Sequence, residues 1–108
     1  MDEHSVLGRT IREITSNLKE RNTSASEITQ SHIDQIKKVN GSLNAVVQMT
    51  ETEALEQAEN LDKSMANGKP IGALHGIPMT LKDSLDTKGI ITTYGTEGKR
   101  NYVPNKDA

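Results

Sequence analysis

The stretch from Gly72 to Gly95, G-A-L-H-G-I-P-M-T-L-K-D-S-L-D-T-K-G-I-I-T-T-Y-G, sets one lysine, Lys82, at the end of an apolar run. Ile77 to Leu81 read as extended, and Pro78 is tolerable in such a run only near the start of a strand or on a sheet edge. A strand at this point predicts that Lys82 sits where a charge is normally excluded. A lysine so placed is either paired or neutral. Burial disfavours the ammonium form and lowers the pKa, which can turn the side chain into a proton acceptor near neutral pH.

The same run carries an ordered set of motifs. Leu74 to Pro78 read L-H-G-I-P, Lys82-Asp83 follow as K-D, Asp86 to Gly89 as D-T-x-G and Thr92 to Gly95 as T-T-x-G. In this order and at these spacings they resemble the opening of the amidase signature enzymes. The resemblance implies amide hydrolysis by a Ser-Ser-Lys triad. In it a neutral lysine takes the proton of a serine held in a cis peptide, that serine activates the nucleophilic serine, and the reaction passes through an acyl-enzyme. This is the activated-nucleophile logic of the better-known triads, with lysine in the role of histidine. By the resemblance Lys82 is the catalytic base, and both serines lie downstream, one of them in a Gly-Ser-rich stretch that this chain does not contain. No cofactor is implied. The expected partners are a small-molecule amide substrate in the complete enzyme and the missing C-terminal portion of the same fold. The A subunit of the glutamyl-tRNA amidotransferase is the nearest alternative within the class, although Leu74-His75-Gly76 and Thr93 to Thr96 look more like stand-alone amidases.

Around Lys82 several side chains compete for a chemical role. Neighbours on a strand point to opposite faces, so Asp83 is a poor partner for Lys82 and reads as a structural acceptor of backbone or hydroxyl hydrogen bonds. Asp86 opens a D-T-K-G turn ending at Gly89 and reads the same way. Ser84 shares the Lys82 face at a spacing of two, which raises a serine–lysine dyad; family members often carry asparagine there, so Ser84 is taken as a substitution. His75 belongs to a turn in which Gly76 and Pro78 set the conformation, and packing is its expected role. Thr92, Thr93 and Gly95 are expected to form a supporting loop whose hydroxyls can reach Lys82. Gly95 to Arg100 superficially resembles a phosphate-binding loop, but its glycine spacing is too short for G-x-x-x-x-G-K. His4, His32 and His75 are too scattered for a metal site.

Upstream, apolar spacing predicts three helices. Leu7, Ile11, Ile14 and Leu18 mark a first from about Ser5 to about Arg21. A Ser24-x-x-Glu27 capping box predicts a second, striped by Ile28, His32, Ile36 and Val39 and stopped by Asn40-Gly41. Thr50-x-x-Glu53 opens a third, with Ala54, Ala58, Leu61 and Met65 on one face, closed by Asn67-Gly68. From Lys69-Pro70 onward Gly, Pro and β-branched residues replace helical spacing. The expected organisation is one truncated domain portion, residues 1–68 helical and 69–108 strand and turn. The expected fold class is α/β: N-terminal amphipathic helices followed by the first strands of an amidase-signature mixed sheet whose remaining strands are not in this chain. Pro104 to Ala108 read as the start of a further helix.

Composition bounds the rest. Of 108 residues only 32% are apolar, with two tyrosines and neither phenylalanine nor tryptophan, so the core is thin. The absence of cysteine removes disulfides, thiol nucleophiles and Cys-based metal sites. Thirteen basic and fifteen acidic residues are mixed along the chain for a net charge of −2, which leaves no electrostatic footprint for nucleic acid. The N-terminus lacks the pattern of a secretory signal and no apolar run is long enough to span a bilayer, so a cytoplasmic chain is expected. The competing class is a non-catalytic helical module whose amphipathic faces pack on a partner.

Overall fold

The computed structural model describes residues 6–108. Three helices are defined: α1 (Ile11–Lys19), α2 (Ala25–Leu43) and α3 (Glu51–Ala66), followed by one 3-10 turn at Glu97–Lys99. Among the described residues there is no strand. This overturns the α/β expectation: the described chain is helical, and residues 77–82 run as irregular backbone. A strand is defined by its neighbour, and the Ile77 to Leu81 run finds none in this chain to complete a ladder.

Helix α1 starts later than its apolar spacing predicts. Thr10 Oγ1 accepts the Glu13 N–H at 3.1 Å and Glu13 Oε2 accepts the Thr10 N–H at 2.9 Å, a complete capping box that fixes the first turn at Ile11. Ile11 is therefore 50% exposed, and Leu7 lies in the turn before the helix. The buried stripe shrinks to Ile14 and Leu18, with Val6 packing beside them. His4 and Ser5 lie outside the described residues.

Helix α2 begins where expected, with Ser24 Oγ accepting the Glu27 N–H at 3.1 Å. Glu27 does not reach back to the cap; its carboxylate accepts the Thr23 hydroxyl instead. The second half of the cap comes from α3. Asp62 accepts the Ala25 N–H at 2.7 Å, the Ser26 N–H at 3.0 Å and the Ser26 hydroxyl at 2.6 Å. A carboxylate at this end satisfies orphan donors and complements the helix dipole while tying two elements together. At the other end the helix runs through Asn40-Gly41 to Leu43, and Asn44 closes it in the left-handed region at φ 48°. Asn40 stays helical because its amide is occupied: it donates to Val46 O at 2.8 Å and accepts the Ala45 and Val46 N–H groups at 2.9 Å.

Val6, Ile14, Leu18 and Ile28 form the apolar core, with Ile77 packed against it. Leu18 and Ile28 are fully buried, each contributing about 1.5–3 kcal/mol through removal from water. On α2, Ile33 is buried, while His32 is half-buried with Nδ1 2.8 Å from the Ile28 carbonyl oxygen. Gly76 reaches this core under two constraints. Its φ is +74°, and a Cβ there would stand 3.1 Å from both Ala25 Cβ and Leu18 Cδ1. The glycine of L-H-G-I-P is therefore required by both backbone and packing.

The chain divides into two compact units, one ending at Pro78 and the other spanning Met79–Ala108. No helix among the described residues is long and apolar enough to cross a membrane.

Candidate functional site

Lys82 opens a turn in the second unit: its carbonyl accepts the Leu85 N–H at 3.0 Å. Its side chain is exposed, and among the described residues no carboxylate lies within ion-pair distance of the ammonium. The buried setting expected from a strand is thus absent in this chain. The turn also removes the strand alternation that placed Ser84 on the Lys82 face, and no hydrogen bond joins the two among the described residues.

The residue after Lys82 is the better anchored. Asp83 Oδ1 accepts the Thr93 N–H at 2.8 Å, Oδ2 accepts the Thr93 hydroxyl, and the Asp83 carbonyl accepts the Tyr94 N–H at 2.9 Å. The Thr93 hydroxyl, then the Thr93 N–H, hold this carboxyl below its ordinary pKa against an opposing desolvation, with the Gly95 N–H adding to the effect. Asp83 is therefore the acceptor of backbone and hydroxyl bonds that its sequence position predicts. The neighbouring hydroxyls are taken: Thr93 donates to Asp83, and the buried Thr92 donates to the Ile90 carbonyl at 3.1 Å rather than turning to Lys82.

Asp86 forms a second hub. Its carboxylate accepts the Tyr94 hydroxyl at 2.5 Å and the Tyr102 hydroxyl at 3.2 Å, and its carbonyl accepts the Ala108 N–H at 2.9 Å. The hydrogen bond to Asp86, with desolvation and the Asp86 charge behind it, pushes the Tyr94 phenol up to about 12. Desolvation first and the Asp86 charge second raise Tyr102. Lys99, at the end of the 3-10 turn, places its ammonium 4.5 Å from the centroid of each tyrosine ring. Backbone bonds from Gly89 to Pro104 and from Thr92 to Tyr102, both 2.9 Å, link the segments without making a ladder.

Sequence reasoning missed this Asp86, Tyr94, Lys99 and Tyr102 cluster. The only signal for it is that the chain's two tyrosines flank the run Gly95 to Arg100, whose glycine spacing speaks against a phosphate loop and says nothing of the rings on either side. His75 belongs to the first unit. It is half-buried in a turn, its N–H bonds to the Gly72 carbonyl at 3.2 Å, and its Nε2 is buried with no hydrogen-bond partner. No group of three His, Asp or Glu side chains among the described residues converges to hold a metal ion.

A family model described as Amidase matches residues 27–108. The A chain of the glutamyl-tRNA(Gln) amidotransferase of Thermoanaerobacter pseudethanolicus is 39% identical over 99 residues, covering 92% of this chain and 20% of that protein. Its mitochondrial counterpart in Homo sapiens is 38% identical over 103 residues, covering 95% of this chain and 19% of its own length. A solved structure, described as a vestigial protein complex that reveals the evolutionary origins of an s-triazine catabolic enzyme, superposes with a TM-score of 0.88 at 26% identity. The match covers 93% of this chain and 22% of that one. The chain spans about a fifth of the length of these relatives.

Proposed function

Because the chain belongs to the amidase family and is homologous over most of its length to the N-terminal region of the glutamyl-tRNA amidotransferase relatives, we propose that it contributes Lys82 as the base of an amide hydrolase. The observation that carries this reading is the ordered motif series around Lys82, lying within residues that match the family model. The two serines and most of the substrate pocket come from the C-terminal portion of the same fold. Lys82 takes a proton from the bridging serine, which takes one from the nucleophile as it attacks the amide carbonyl. The amine leaves with a proton returned along the same path, and water then releases the acyl group. Such a base must be neutral, which requires that the exposed Lys82 be covered when the remaining fold packs over Met79 to Leu85. The chain alone is therefore inactive. A cytoplasmic setting belongs to the same reading.

The substrate is a small-molecule amide. The relatives support the amidotransferase form of the reaction, with glutamine as the ammonia source, whereas Leu74-His75-Gly76 and Thr93 to Thr96 support a stand-alone amidase. The apolar faces that would serve a non-catalytic helical module are in part already spent, since Ile14, Leu18 and Ile28 are buried within the chain's own core.

A hybrid tests the reading: this chain replaces the matching segment of the Thermoanaerobacter relative, and hydrolysis of glutamine and of simple amides is assayed. The hybrid is expected to be active, and Lys82→Ala to lower kcat/KM by about 10²–10⁴-fold. An active hybrid indifferent to Lys82→Ala would remove Lys82 from the chemistry.

A further inference from the structure

The second unit has no helix longer than a single 3-10 turn, yet its segments converge on one side chain. Lys99 lies between the rings of Tyr94 and Tyr102, 4.5 Å from each centroid. Both tyrosine hydroxyls are tied to the single carboxylate of Asp86. A cation against two ring faces is attracted by both quadrupoles, and tyrosines whose hydroxyls are anchored cannot swing away from it. We infer that Lys99 is a positioning residue, the internal ligand of a Tyr94–Tyr102–Asp86 cage that clamps the Thr92 to Gly95 loop against the turn opened by Lys82.

The connection to that turn is short. Asp86 lies one residue beyond the Lys82 to Leu85 turn, and Tyr94 holds both hubs at once, its hydroxyl on Asp86 and its N–H on the Asp83 carbonyl. Tyr102 carries the clamp to the far side of the unit, since its carbonyl accepts the Thr92 N–H. Removing the Lys99 charge releases the rings, and with them the backbone bond at Thr92 and its neighbour at Gly89. The consequence for catalysis rests on the reading of Lys82 given above; the clamp itself rests on the geometry of the second unit.

The test is proton NMR of the full chain, alone and without turnover. In the wild-type chain the Lys99 side-chain protons are expected upfield of those of the other lysines, shifted by the ring currents of Tyr94 and Tyr102. Lys99→Met is expected to speed amide exchange at Thr92 and Gly89 by about 2- to 5-fold. Lys99→Arg, which keeps a cation over the rings, is expected to restore the slow rates. Asp86→Asn is expected to abolish the upfield shift with Lys99 still present. Random-coil shifts for Lys99 in the wild-type chain overturn the inference, as do equal exchange rates in Lys99→Met and wild type, or an arginine variant no slower than the methionine one. Because the readout needs no activity, its failure leaves the role of Lys82 standing, and an active hybrid indifferent to Lys82→Ala leaves the clamp standing.

Discussion

The unit ending at Pro78 and the unit from Met79 to Ala108 are held together by different forces. The first buries an apolar cluster of Val6, Ile14, Leu18 and Ile28, with helix ends satisfied by Thr10, Ser24 and Asp62. The second keeps most of its large apolar side chains in water, Met79 at 62% and Leu81 at 58% exposure. It is organised by two carboxylates, Asp83 and Asp86, and by a lysine between two tyrosines. Helices satisfy their own backbone, so a short chain can stabilise them with a small core. An extended segment borrows its hydrogen bonds from neighbours, and here side-chain carboxylates supply what a sheet otherwise would. The residues proposed for chemistry lie in the unit that depends most on what surrounds it.

The largest effect that would break this comparison is expected in the first unit. Leu18→Ala removes a fully buried side chain from the centre of the core and is expected to cost about 2–5 kcal/mol, read from urea unfolding followed by helical circular dichroism. A cost below about 1 kcal/mol would mean that apolar burial does not hold this unit. A smaller effect sharpens the other side. Asp83 has a folded-state pKa below its unfolded value, so its contribution is present above the unfolded value, near pH 4, and is lost as pH falls through the folded one. Acidification from about pH 4 downward is therefore expected to quicken exchange of the Thr93 amide, and Asp83→Asn to remove that dependence. A Thr93 amide whose exchange tracks pH identically in both proteins would mean that the carboxylate does not hold the loop.

Local chemistry was legible in the sequence where its partners are local. Ser24 was recognisable as a cap because its acceptor is three residues away, and Asn67-Gly68 marks the end of α3. Thr10-x-x-Glu13 was as plain a capping box, but the apolar spacing through Leu7 and Ile11 pointed to an earlier start, and spacing alone cannot report that a cap has fixed the first turn. Asn40-Gly41 reads as a stop because both residues favour turns; the three bonds of the Asn40 amide that keep it helical could not be read from composition. The strand at Ile77 to Leu81 was unreadable for a deeper reason, since apolar extended residues become a strand only against a partner. For the candidate site, the motif order singled out Lys82 and the structural role of Asp83. The convergence of Lys99, Tyr94 and Tyr102 on Asp86 has no sequence period and emerges only from the folded loops.

The most direct test of the central claim, that an exposed Lys82 becomes a base by being covered, is residue-resolved hydrogen exchange on the isolated chain and on the active hybrid. The amides of Met79 to Leu85 are predicted to exchange at least about ten-fold more slowly in the hybrid, with those of Ile14 to Ile33 little changed. An active hybrid whose Met79 to Leu85 amides exchange as fast as in the isolated chain would contradict the account, because Lys82 would then be working while open to water.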